Sequence, residues 1–298
     1  MQRTLLVIPF LFLAFGASAQ LTGTFTIGGA NPSFADFTAA ASALSTQGIS
    51  GNVTFNVRPG TYTERVQINA IPGSNANRTV TFQAENGDSS SVLLLSTTAT
   101  NGTNYLVSLQ NVARVTLKRL SFQTPETGLY STAVGLYNVS NFRMENCRLS
   151  GSLNSAPQST NGRITLLITG INPNVTVKNC LFRNGYQAVS VLGGETLVSA
   201  DMVIENNRFK GALAEALVAV YAHQIKVQKN VVDTCALGFR INYCSTAVVQ
   251  HNRIFTTYYG CLAMYDCRGT ANTRCLVANN MMSNAGKSTQ ANGALIQS

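Results

Sequence analysis

The chain has 298 residues, 45% of them hydrophobic and only 11% charged, with 24 Gly, 7 Cys and no Trp. Such a chain can bury a sizeable core, and its composition excludes disorder, which needs low hydrophobicity and high charge. A shortage of Ala/Glu/Lys/Leu heptads excludes a coiled coil, and a formal charge of +9 points to acidic partners.

Residues 1–19 read as an export signal. Arg3 supplies the positive start, Leu5 to Phe15 the apolar stretch, and Ala17-Ser18-Ala19 a small-residue cleavage site before Gln20. The apolar run is shorter than the roughly 20 residues of a membrane span. The protein is therefore expected to be secreted or held at the outer cell surface, with no transmembrane segment. Asn31 to Gly48 then reads as the one clear helix, about residues 33–47. Pro32 fits its first turn, and Ser33 with Asp36 approximates a capping box. Phe34, Phe37, Ala41 and Leu44 share a face, and Gly48 is a C-terminal stop. After Gly51 the sequence alternates like strands, and no linker divides it. Its 29 Asn, with abundant Ser and Thr, add the turn chemistry of an all-β chain. Residues 20–298 read as a single domain with the helix covering one end. The stretch Gly293 to Ser298 reads as a strand with nothing capping it, which marks the chain as a candidate fragment of a longer protein.

Internal repetition is the decisive feature. Seven segments superimpose without gaps: Val115–Phe122, Phe142–Leu149, Val175–Phe182, Met202–Phe209, Ile225–Val232, Ala247–Ile254 and Cys275–Met282. First and third positions are hydrophobic throughout. The sixth is Leu120, Cys147, Cys180, Asn207, Asn230, Asn252 and Asn280, and the eighth is again apolar. A period near 25 residues with inward side chains at alternate positions describes one turn of a strand solenoid. Like residues then stack about 4.8 Å apart. The Asn column is expected to mark a tight left-handed bend, with amides bonding the coils above and below.

This pattern, apolar-x-apolar-x-x-Asn-x-Phe, resembles the right-handed parallel β-helix family that includes the pectate lyases. The segment Gly60-Thr61-Tyr62-Thr63-Glu64 is similar to one in pectin methylesterases and in secreted bacterial β-helix proteins. The resemblance implies an all-β, right-handed parallel β-helix with an N-terminal capping helix.

The chemistry of such relatives is hard to find here. Only five Asp occur, at 36, 88, 201, 233 and 266, so neither a Ca²⁺ cluster nor an Asp trio is evident. Glycosidase logic requires two facing carboxyls. Lys118, Glu145, Lys178 and Glu205 share an outward column, which reads as a charge ladder or, alternatively, as catalytic acids. His223 and His251 lack ligand partners at metal spacing, so neither a metal nor a cofactor is expected. Cys147 stacks over Cys180, and Cys244 over Cys267, each pair a disulfide candidate or a stack of buried thiols. Cys275 falls in an inward column and should be core.

The best candidate surface comes from aligning Ala216–Ala222, Gly238–Cys244 and Cys261–Cys267. Leu217, Phe239, Leu262, Ala219, Ile241 and Met264 turn inward, which leaves Arg240, Asn242 and Tyr265 outward with Tyr243 and Asp266 beside them. Tyr rings and planar donors suit a sugar chain. The alternative is that Tyr221 and Tyr243 continue an internal stack. No basic run or nucleic-acid motif is present, so nucleic acid is not an expected partner. The leading expectation is an exported, monomeric, non-catalytic module that binds acidic polysaccharide. Its rivals are a lyase or hydrolase of such a polymer, and a structural spacer of a larger surface protein.

Overall fold

The computed structural model describes residues 19–96, 103–127, 130–153, 162–195, 199–270, 273–284 and 292–297. The expected export segment lies outside these residues, apart from Ala19. No helix among the described residues is long and apolar enough to cross a membrane.

Strands pair in parallel, coil upon coil, as the repeat requires. A ten-stranded sheet runs from Leu21–Ile27 to Leu276–Ala278. The larger sheet bends into two strips. Its narrow strip holds short strands such as Arg148–Ser150, Leu181–Arg183 and Arg208–Lys210. Its wide strip holds six-residue strands such as Ile164–Thr169, Gln187–Leu192 and Glu215–Val220. Val231–Asn242 and Arg253–Tyr265 are long enough to run through both strips. One coil therefore passes through Val203–Glu205 of the first sheet, a corner, Arg208–Lys210, a short link, Glu215–Val220 and a second corner.

The inward columns follow the repeat. In the first six segments, positions one, three, six and eight are all buried, from Val115 to Ile254. Aromatic ladders fill the interior: Phe55 stacks on Phe82 at 4.6 Å and Phe182 on Phe209 at 5.1 Å. The left-handed bend, however, sits one residue earlier than expected. Positive φ belongs to the fifth position, at Asn146, Asn179, Asn206, Lys229, His251 and Asn279. That residue turns the chain while pointing outward, which is why Lys and His are tolerated there. The sixth side chain is then free to point in and form a buried ladder. Asn207 Oδ1 accepts from Cys180 N at 2.9 Å while its Nδ2 donates to Val177 O at 2.9 Å. Asn230, Asn252 and Asn280 repeat both contacts on the coil before each.

The capping helix is present but shorter at its start, Phe37–Gln47. Asp36, not Ser33, is its N-cap and accepts from Ala39 N at 2.7 Å. Ser33 is occupied elsewhere: it exchanges hydrogen bonds with Thr26, and Phe34 bridges Ile27, so this stretch extends a strand edge. The Glu64 carboxylate also accepts from Phe37 N and Thr38 N, where the helix dipole favours an anion. Gly48 ends the helix at φ 68°, as expected. Phe37, Ala40, Ala41 and Leu44 are buried over the first coils. Cys275, expected in the core, is half-buried because Leu276–Ala278 is the outermost described strand of its sheet.

Candidate functional site

Register places Gln187, Glu215 and Leu237 in one outward row of the wide strip, and Ser190, Val218 and Arg240 in the next. Three successive coils thereby bring three hydrogen-bonding side chains together. Arg240 donates from Nε to Glu215 Oε1 at 3.0 Å and from Nη2 to the same oxygen at 2.9 Å. Gln187 Nε2 donates to Glu215 Oε2 at 3.1 Å. These groups border a groove of about 330 Å³ whose floor includes Ile164, Leu192, Val218 and Val220. Tyr186 closes one side, its ring 5.1 Å from the guanidinium of buried Arg163. Ser190 Oγ is buried at the groove and has no hydrogen-bond partner among the described residues. An apolar floor with a polar wall suits the two faces of a sugar ring.

Of the residues expected from sequence, Arg240, Asn242 and Tyr265 do lie outward on this strip, each half-buried. Arg240 is not a free cation, since Glu215 holds it. Tyr243 and Asp266 belong to a different place. Both have left-handed backbones, at φ 54° and 47°, and so stand at the corner where the wide strip ends. Tyr243 stacks on Tyr221 at 5.1 Å and 17°, outside the core, and is 46% exposed. The stack is therefore external, not the internal alternative. The hydrogen bond between the Tyr221 hydroxyl and Glu195 Oε1, 3.0 Å long, raises the Tyr221 pKa. Tyr243 and Asp266 both border a second hollow of about 330 Å³, with His223, Ser245 and Arg268. His223 Nδ1 hydrogen-bonds Ser245 Oγ there.

The scarce acids are mostly engaged. Glu205 is held by Lys178 at 2.7 Å and Lys229 at 3.2 Å, which lowers its pKa. Its ladder contact with Lys178 is the one expected. Glu145 pairs with Arg143 of its own strand at 2.7 Å instead. Among the described residues no group of three His, Cys, Asp or Glu is placed to hold a metal. The two cysteine pairs stack as thiols: all seven cysteines are free. Cys147 and Cys180 donate to the carbonyls of Leu117 and Met144. Cys244 and Cys267 do the same toward Ala219 and Ile241. A hydrogen bond from Cys244 pulls the Cys267 thiol below its usual range.

Glu215, Gln187, Tyr186 and Ser190 were not singled out from sequence. Glu215 and Leu237 immediately precede two of the aligned segments, so extending that alignment by one residue would have exposed the row.

The family model described as "Right handed beta helix region" matches residues 84–216 and 132–296. No curated protein matches the chain in sequence. Among solved structures it is similar to a GH136 lacto-N-biosidase from Eubacterium ramulus, with a TM-score of 0.61 and 11% identity over 88% of this chain and 56% of that one. The chain thus spans little more than half of the biosidase's length. It is also similar to an alginate lyase from Paenibacillus sp. str. FPU-7, with a TM-score of 0.56 and 11% identity over 92% of this chain and 98% of that one. A pectin methylesterase from carrot gives 0.53 and 11%, over 92% and 87%. At such identities the likeness is one of fold.

Proposed function

The chain belongs to the right-handed beta helix family, and on that premise we propose that it is an exported module that binds polysaccharide, acidic polymers above all, without cleaving it. The observation that carries this reading is the groove with its Gln187–Glu215–Arg240 wall over an apolar floor. Coil stacking repeats such positions at strand spacing, which suits a repeating polymer better than a compact metabolite. Two structural neighbours are named for alginate and pectin, which supports a polysaccharide partner. Among the described residues Glu215 is the one carboxylate lining the groove, and the Arg240 and Gln187 side chains fix it. Hydrolysis by paired carboxyls needs a second acid across the bond.

A glycan array with the exported chain tests the reading. Retention of at least one polysaccharide is expected, with neither unsaturated products by absorbance nor new reducing ends after incubation. Arg240→Ala should weaken binding of that glycan by about 1.5–3 kcal/mol, the range for hydrogen bonds involving a charged group. Product release overturns the non-catalytic part, and unchanged affinity in Arg240→Ala removes the groove as the site.

A further inference from the structure

The corner that follows the wide strip holds chemistry that the groove leaves unused. Asn242 pairs with Tyr265 before this corner and Ser245 with Arg268 after it, both across the same coil step. Register is thus fixed on both sides, and it sets Cys244 directly beside Cys267. Neighbouring strands lie about 4.8 Å apart, within the Cα separation that a disulfide accepts. Cys267 Sγ lies 3.2 Å from Ile241 O and Cys244 Sγ 3.7 Å from Ala219 O, each carbonyl on the preceding coil. Both sulfurs therefore face the same way along the axis.

The two thiols are unequal. Cys244 is 1% exposed, whereas Cys267 is half-buried. The hydrogen bond between them holds the Cys267 thiol down to about 7 and, together with burial, pushes Cys244 well up. A reactive thiol is accessible and ionises easily, because the thiolate is the attacking species. Cys267 meets both conditions and has a second thiol against it. Cys147 and Cys180 also stack, but both are buried, and burial pushes Cys180 well up. Burial does the same to Cys235, pushed up to about 12. Cys275 is half-buried as well, but register sets it beside Ala247 and not beside a cysteine.

We infer that Cys267 is a thiol–disulfide exchange site, with Cys244 as its resolving partner and a small external disulfide as its co-reactant. The Cys267 thiolate attacks the external disulfide and forms a mixed S–S bond, while the first half leaves as a thiol. Cys244 then loses its proton and attacks Cys267 Sγ, and the second half leaves as a thiol. The two cysteines thus give up two electrons and two protons, and the external disulfide takes them all. The product closes residues 244–267, one whole coil, into a covalent ring. This corner is separate from the one that Asn230 and Asn252 close, so the bond ties coils where the amide ladder does not. The inference goes beyond the polysaccharide reading and stands whatever the groove binds.

Incubating the reduced, folded chain with glutathione disulfide and mapping its peptides by mass spectrometry tests it. A cross-linked peptide holding Cys244 and Cys267 is expected, with Cys147, Cys180 and Cys235 still open to alkylation once the chain is unfolded. Cys244→Ser should halt the exchange midway and leave glutathione attached to Cys267. Cys267→Ser should leave Cys244 without glutathione. The wild-type map needs neither variant, so a variant that fails to fold does not shield the inference. The melting temperature should rise by several degrees on oxidation, because the bond restricts the unfolded chain, and return with dithiothreitol. A wild-type map in which Cys244 and Cys267 stay reduced overturns the inference. So does glutathione on Cys275 ahead of Cys267, a Cys147–Cys180 bridge that forms as fast, or a melting temperature that falls on oxidation.

Discussion

The coils that carry Asn207, Asn230, Asn252 and Asn280 close one corner with amides, whereas those that carry Cys147 and Cys180 close the same corner with thiols. Each amide accepts an N–H and donates to a C=O of the preceding coil, as Asn230 does with Asn207 N at 2.9 Å and Ile204 O at 2.8 Å. Cys147 and Cys180 offer only a weak S–H, which reaches Leu117 O at 3.4 Å and Met144 O at 3.7 Å on the preceding coil while Glu145 O at 3.4 Å and Lys178 O at 3.2 Å on their own coils compete for it. The amide half is therefore held in register by directional bonds. The thiol half lacks that side-chain ladder and relies on strand pairing and on packing, including the ring of Phe182 stacked on Phe209 of the next coil. Directionality matters because a one-residue slip would turn every inward side chain to solvent.

Removing the packing should produce the largest effect. Phe182→Ala is expected to cost about 3–5 kcal/mol, and a loss below about 1 kcal/mol in chemical denaturation would break the account of the thiol coils. Asn230→Ala should cost about 2–6 kcal/mol, because it orphans two buried backbone groups at about 1–3 kcal/mol each. Cys180→Ala should cost about 1 kcal/mol, since a weak donor and a small volume are lost while Cys180 N keeps its bond to Asn207 Oδ1. If urea titration gives Cys180→Ala and Asn230→Ala equal losses, thiol and amide are equivalent and the comparison fails.

The smallest expected effect lies on the outside of the same corner. Glu205 has its pKa lowered by Lys178 and then Lys229, against the cost of partial burial. A depressed carboxylate contributes stability that is complete above the ordinary Glu value of about 4.3 and is lost as pH falls through the lowered one. The wild-type melting temperature should thus drop more than that of Glu205→Gln on acidification from pH 5 downward, to a modest degree because the pair is near the surface. Parallel melting curves for both proteins would remove the ion pair from the account.

Much of this architecture is legible in the sequence because in-register parallel stacking forces like residues over like. Columns one, three, six and eight could be read directly, and with them the solenoid and its inner face. The corner was misplaced by one residue for a physical reason. Asn206 and Asn207 are adjacent and identical, and composition cannot say which bends the backbone and which points inward. The candidate site suffered from a related ambiguity. Tyr243 and Asp266 are neighbours of Arg240, Asn242 and Tyr265 in sequence, but a left-handed residue at each corner turns them onto another face. Glu215 was invisible as a partner because its ion pair with Arg240 crosses 25 residues and depends on register.

The amide ladder joins residues 22 to 28 positions apart, and it does so again at every coil it crosses. Sequence separation between contacting groups is therefore set by the length of one turn and does not grow with the number of turns. Folding of such a chain can start at any pair of neighbouring coils and spread along the axis, each new coil templated by the last. In that process the directional half offers the more selective template. A strand docked out of register there leaves the carbonyl of Ile204 and the amide of Asn207 without the Asn230 side chain, so a slip costs more at the amide coils than at the thiol coils.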